Sequence, residues 1–208
     1  ALLVACPRVA NANDWDPDLL FGQSPVEVAS SLSQLKERFR TGLPHIIYWL
    51  SHADEKGLWL DGELIDGRKL RSLLQAGSGG TDDLQTFRGL AILNACRTAA
   101  PRDLTSYLQD FQEYNYSGII ATEAAVIDRF AVPFGESLLQ ELFSGRPIGE
   151  LTHDLRSRPD ELPLSLLYGT YCPPHFRMTP SIHTVAERVT DSVGQLGDPA
   201  ILGGEAGD

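Results

Sequence analysis

The sequence predicts an α/β fold in which a mainly parallel central sheet is flanked by helices. Three observations carry that expectation. Short apolar, β-branched runs recur at 46–51, 90–95 and 118–122, flanked by polar or glycine-rich sequence, the pattern of strands buried on both faces. Segments with apolar residues spaced by three and four alternate with them. The 208 residues, with 42% apolar and 22% charged side chains, suffice for one sizeable core.

Taken in order, the chain opens with a strand over about Leu2–Cys6, followed by a polar loop at 11–18. Leu19–Gly22 reads as a short second strand. Only residues 7–18 separate it from the first, and they lack a helical apolar face. A parallel crossover needs about 10–12 residues including its helix, so either Leu19–Gly22 is not a strand or residues are missing there. Ser24-Pro25 reads as an N-cap followed by proline at the first helical position. That helix runs to about Arg40, with Val28, Leu32, Leu35 and Phe39 on one face, and Thr41-Gly42 stops it. After the 46–51 strand, Gly57–Ile65 forms a hairpin turning at Asp61-Gly62. A helix follows from Gly67 to about Leu74, then a glycine-rich loop over 77–83. Beyond the 90–95 strand come a helix over Leu104–Tyr114, a strand over Gly118–Thr122, and helices over Asp128–Phe143 and Ile148–Leu155. A last strand is expected at Leu164–Tyr168. Residues 172–208 read as a C-terminal tail, proline-rich, then helical near Val185–Leu196, then frayed. With no internal repeat, residues 1–208 read as a single domain that starts abruptly on a strand, as a piece excised from a longer protein would.

Composition excludes several functions. A formal charge of −11 without a basic stripe argues against nucleic-acid binding. It weakly favours basic partners. No apolar run approaches the roughly 18 residues of a membrane span, and the first residues lack the basic start of a signal peptide. Three cysteines, Cys6, Cys96 and Cys172, are an odd, sparse set rather than a disulfide framework, which points to a reducing cytoplasm. Cys172 and His175 have a C-x-x-H spacing, but even with His183 they do not complete a zinc set. No metal or cofactor is expected.

The chemistry is expected from His52 and Cys96. Each lies just past an apolar strand, and in open α/β sheets the site sits outside the carboxyl ends of the strands. There the two could form a thiol–imidazole dyad, in which the imidazole promotes the nucleophilic thiolate. Asn94 shares the Cys96 face of its strand by the period of two, a candidate for substrate binding. Glu123, at the carboxyl end of the next strand, is a second; Asp14 and Asp16 could add further negative charge. Arg97 is not counted as catalytic. His45 precedes its strand, at the opposite edge, and His153, His175 and His183 read as structural or exposed.

Asn94-Ala95-Cys96-Arg97 resembles the caspase nucleophile signature, whose histidine lies roughly 50 residues upstream; here His52 precedes Cys96 by 44. The chain is still more similar to the CHAT domains, bacterial caspase-like domains often found beside TPR repeats. The similarity runs from about Ile46 to Tyr171 through Ile47–His52, Leu58–Gly62, Leu93–Ala99, Gly118–Glu123, Leu138–Gly145 and Leu162–Tyr171. It implies a caspase-like three-layer fold and a cysteine endopeptidase acting through a Cys96 thioester, with His52 as acid and base. The oxyanion donors would be the backbone N–H groups of Cys96 and Ala53, and Asn94 would help line the P1 pocket. It also implies a regulated bacterial protease in a signalling or defence system. Its partners would be a protein substrate and a regulatory sensor or repeat domain. One departure stands out: the family usually has glycine directly after the histidine, where this chain has Ala53. Two alternatives stay open, an inactive regulatory or scaffold domain and a non-proteolytic cysteine enzyme such as a transferase or amidase. The loops Ala53–Gly57 and Ala76–Asp83 are expected to border the site and to need ordering for activity.

Overall fold

A computed structural model describes residues 2–5, 26–79, 88–99, 107–158 and 164–178. The buried runs become strands whose backbone groups pair with one another. β1 (Leu2–Ala5), β2 (Glu27–Ala29), β3 (Ile46–Leu50), β7 (Gly89–Asn94), β8 (Tyr116–Thr122) and β9 (Tyr168–Tyr171) form one sheet in the order β2-β1-β3-β7-β8-β9. All neighbouring pairs are parallel except β8–β9. A small antiparallel sheet, β4 (His52–Ala53), β5 (Leu58–Leu60) and β6 (Glu63–Ile65), follows β3 directly.

Alternation along each central strand builds two cores. Val4, Ile47, Trp49, Ala91, Leu93, Ile119 and Ala121 face one side, with the small sheet and helices α1 (Leu32–Arg40), α2 (Gly67–Gly77) and α3 (Tyr107–Glu113). Leu3, Tyr48, Leu50, Leu90, Ile92 and Ile120 face the other, against α4 (Asp128–Phe143) and α5 (Ile148–Arg156). Phe39, Trp49 and Phe111 are fully buried, each contributing about 1.5–3 kcal/mol by area removed from water. Among the described residues no helix is long and apolar enough to cross a membrane.

The hairpin forms where the sequence places it. Asp61 and Gly62 both have positive φ, 49° and 78°, as the twist-compatible two-residue turn requires. The Tyr107 hydroxyl accepts from Leu58 N at 3.1 Å and donates to Ile65 O at 2.9 Å, pinning the hairpin to α3.

Three element assignments change. The first long helix does not start near Ser24-Pro25. Ser31 caps it, its Oγ accepting from Gln34 N at 3.4 Å, while Gln34 Oε1 accepts from Ser30 N at 2.8 Å, a reciprocal cap resembling the capping box. Residues 27–29 upstream are instead β2, and Val28 is exposed rather than part of the helix face. The second strand is therefore β2. Residues 6–26 connect it to β1, more than a parallel crossover needs; the 19–22 expectation lies outside the described residues. Near the end, Leu164–Leu167 is a 3₁₀ turn, and the strand begins at Tyr168. Ser165 is buried while Leu166 is exposed, so that run does not present one apolar face to the sheet.

Candidate active site

The site follows from the register of β3 on β7. Leu50 pairs with Asn94 as the last rung of the parallel ladder. His52 and Cys96 each lie two residues beyond that rung, at the carboxyl edge of neighbouring strands. The strands they follow are neighbours, spaced about 4.8 Å apart. His45, by contrast, sits at the opposite edge, where its carbonyl accepts from Leu90 N.

His52 enters through β4. It pairs with Trp59 and its side chain is exposed. Asp54 N donates to Gly57 O at 3.0 Å, whereas Leu58 N turns away to the Tyr107 hydroxyl. By the antiparallel alternation, Ala53, opposite Leu58, directs its N–H to the outer edge of β4. The 53–57 connection is closed tightly by Asp54. Its carboxylate accepts from Lys56 N at 2.8 Å, Gly57 N at 3.2 Å and the Trp59 indole at 2.9 Å. Burial opposes the charge, but the Trp59, Lys56 and Gly57 donors outweigh it and hold Asp54 below the ordinary carboxylate range.

Cys96 is half-buried on a turn that leaves β7. Its thiol donates to Val126 O at 3.5 Å. Arg97, exposed, takes φ +55°, a conformation uncommon outside glycine that concentrates at functional sites. The turn is fastened to β8. Arg97 N donates to Ala124 O at 3.1 Å and Ala99 N to Thr122 O at 2.9 Å. Thr98 N donates to Thr122 Oγ1 at 3.2 Å, Thr122 N donates to Thr98 Oγ1 at 3.0 Å, and Thr122 Oγ1 donates to Ala95 O. Sequence reasoning missed both threonines; their only signal is a polar residue in a buried run.

Asn94 is 2% exposed. Its amide is engaged by Tyr48, Tyr168 and the Ala131 carbonyl, so it lies beneath the edge rather than on its surface. Glu123, directly past β8, is exposed. It accepts from the Tyr171 hydroxyl, and its amide donates to Leu167 O at 2.7 Å. Partial burial first, and then the Glu123 carboxylate, push Tyr171 up to about 12. None of these residues lines the groove of about 380 Å³ between α1 and α2. Asp14, Asp16, Cys6 and His183 lie outside the described residues.

No family model matches the chain, and no curated protein matches it. Among solved structures it is similar to the complex of Porphyromonas gingivalis RgpB pro- and mature domains. The TM-score is 0.57 and the identity 8%, over 85% of this chain and 48% of that one. The chain therefore spans about half the length of that chain. A secreted C11 cysteine protease from Bacteroides thetaiotaomicron, in complex with an irreversible peptide inhibitor, matches at 12% identity and a TM-score of 0.42, over 68% of this chain and 53% of that one. The first likeness shows the fold: a caspase-like, three-layer α/β arrangement around a mostly parallel six-stranded sheet.

Proposed function

We propose that this chain is a cysteine endopeptidase of the caspase-like type, with Cys96 as nucleophile and His52 as general acid and base. The observation that carries the reading is the register. The last rung, Leu50–Asn94, ends two neighbouring parallel strands side by side, and His52 and Cys96 each follow that rung by two residues. The fold likeness to RgpB supports the same chemistry.

The Cys96 thiolate attacks the scissile carbonyl carbon, forming a C–S bond and a tetrahedral oxyanion. Collapse breaks the C–N bond, and the imidazolium of His52 protonates the departing amine. Water, deprotonated by His52, then attacks the thioester. The acid leaves and the thiolate returns. The N–H groups of Ala53 and Cys96 would hold the oxyanion, each donor worth about 3–4 kcal/mol in the transition state.

Ala53 in place of the family's glycine does not count against turnover. The non-glycine residues with positive φ among the described residues are Asp61, Arg97 and Asn115, so Ala53 has a backbone that any residue adopts. Glu123, exposed just past β8, offers a carboxylate for substrate contact at this edge. Asn94 acts from beneath. The role that fits is a regulated bacterial protease in signalling or defence, acting on a protein substrate under a sensor or repeat domain. In RgpB a pro-domain stands in complex with the mature domain, a precedent for control by a second domain.

The test is labelling with a peptidyl acyloxymethyl ketone, read by intact mass. One label per chain is expected. Cys96→Ala should abolish it and His52→Ala should slow it by about 10²-fold or more. Labelling that persists in Cys96→Ala, or no reaction with any peptide electrophile while small thiol reagents react, would favour the non-proteolytic readings.

A further inference from the structure

Beneath the carboxyl edge, four elements share one amide. Asn94 ends β7, and its Nδ2 donates to the Tyr48 hydroxyl and to Ala131 O, each at 2.7 Å. Its Oδ1 accepts from the Tyr168 hydroxyl at 2.6 Å. Tyr48 belongs to β3, Ala131 to α4 and Tyr168 to β9. Both tyrosines are at most 2% exposed. Helix α4 comes this close only because residue 135 is glycine: a Cβ there would overlap the Tyr48 hydroxyl and stand 2.8 Å from Asn94 Nδ2. Burial raises both phenols, so the pattern of donors and acceptors stays fixed across the working pH range.

The position of this knot gives it a purpose. Tyr48 lies four residues before His52, and Asn94 two before Cys96. The ladder joining those strands stops at Leu50–Asn94, so no further rung sets the height of the two site residues against each other. A buried, satisfied polar network selects one arrangement where apolar packing would tolerate several.

We propose that the Tyr48–Asn94–Tyr168 knot is a positioning device that sets β3, which leads into His52, against β7, which leads into Cys96, making these three side chains positioning residues for the dyad. The inference rests on the cysteine-peptidase reading, and its test separates the two. Tyr168→Phe deletes one hydroxyl and keeps the ring, which packs on Phe134 at a centroid distance of 4.3 Å. The measurement is the rate constant of Cys96 alkylation by chloroacetamide against pH. It compares wild type, Tyr168→Phe, His52→Ala and the double variant, with melting temperatures alongside.

Tyr168→Phe should slow the neutral-pH reaction about ten-fold and move the midpoint to higher pH. It should add no further slowing once His52 is gone. The knot is overturned if Tyr168→Phe is silent while His52→Ala slows the reaction, a result that leaves the dyad standing. It is equally overturned if Tyr168→Phe slows the reaction as much without His52 as with it. If His52→Ala itself changes nothing, the dyad falls and the knot's purpose with it. Should Tyr168→Phe melt below the assay temperature, Tyr48→Phe reads the same knot from β3 with the same expected outcomes.

Discussion

Two thiols among the described residues meet different surroundings. Cys96 stands half-buried at the sheet edge. Cys172 follows β9 and contacts the Gly118 region of β8. Burial pushes its thiol up to about 11. Below that value each pH unit costs a factor of about ten in thiolate, the species that reacts. Limited iodoacetamide treatment at neutral pH, mapped by mass spectrometry, should therefore modify Cys96 first. Cys172 should gain about ten-fold per pH unit as pH rises toward 11. Comparable neutral-pH rates at the two positions would contradict both the burial of Cys172 and the activation of Cys96. The same map reads Cys6.

At the scale of elements, the β7–β8 junction decides how rigidly the nucleophile is held. Thr122 accepts from Thr98 N and donates to Ala95 O, so one side chain serves backbone groups on both sides of Cys96. Thr122→Val keeps the shape and removes the hydroxyl, leaving buried backbone groups without that partner. The expected cost is about 1–3 kcal/mol in urea unfolding, accompanied by slower Cys96 labelling. A neutral Thr122→Val would show that the fastening is redundant. Legibility varied among the elements for physical reasons. Helix α4 was readable to both ends because its apolar spacing is sustained over four turns and Ser144-Gly145 stops it. The start of α1 was not. Pro25 offers a plausible first turn, and nothing local says that residues 27–29 will pair with β1. That pairing is a long-range backbone choice.

For the whole molecule, the formal charge of −11 implies net self-repulsion in the folded state. Raising ionic strength from about 0.01 to 0.15 M shortens the screening length from about 30 to 8 Å. The melting temperature is expected to rise with salt over that range. A fall instead would mean that surface ion pairs such as Arg146 with Glu141 and Asp154 outweigh the general repulsion. Two cores share one sheet, and among the described residues β3 and β7, the strands that lead into His52 and Cys96, are buried at every position.

By itself the sequence determined the buried strand runs at 46–50, 90–94 and 118–122, the hairpin turn at Asp61-Gly62, and the placement of His52 and Cys96 just past two of those strands. These are local properties, set by side-chain period and turn chemistry, so they can be read without partners. Tertiary structure alone decided which strands are neighbours and at what register. It put Leu50 opposite Asn94 as the last rung of the ladder. It also turned Asn94 inward, because the Tyr48 and Tyr168 hydroxyls and the Ala131 carbonyl, 46, 74 and 37 residues distant, met its amide. A polar residue on the site-facing side of a strand looks the same in sequence whether it will meet substrate or a buried hydroxyl. Only the packing of α4 and β9 over that face distinguishes the two.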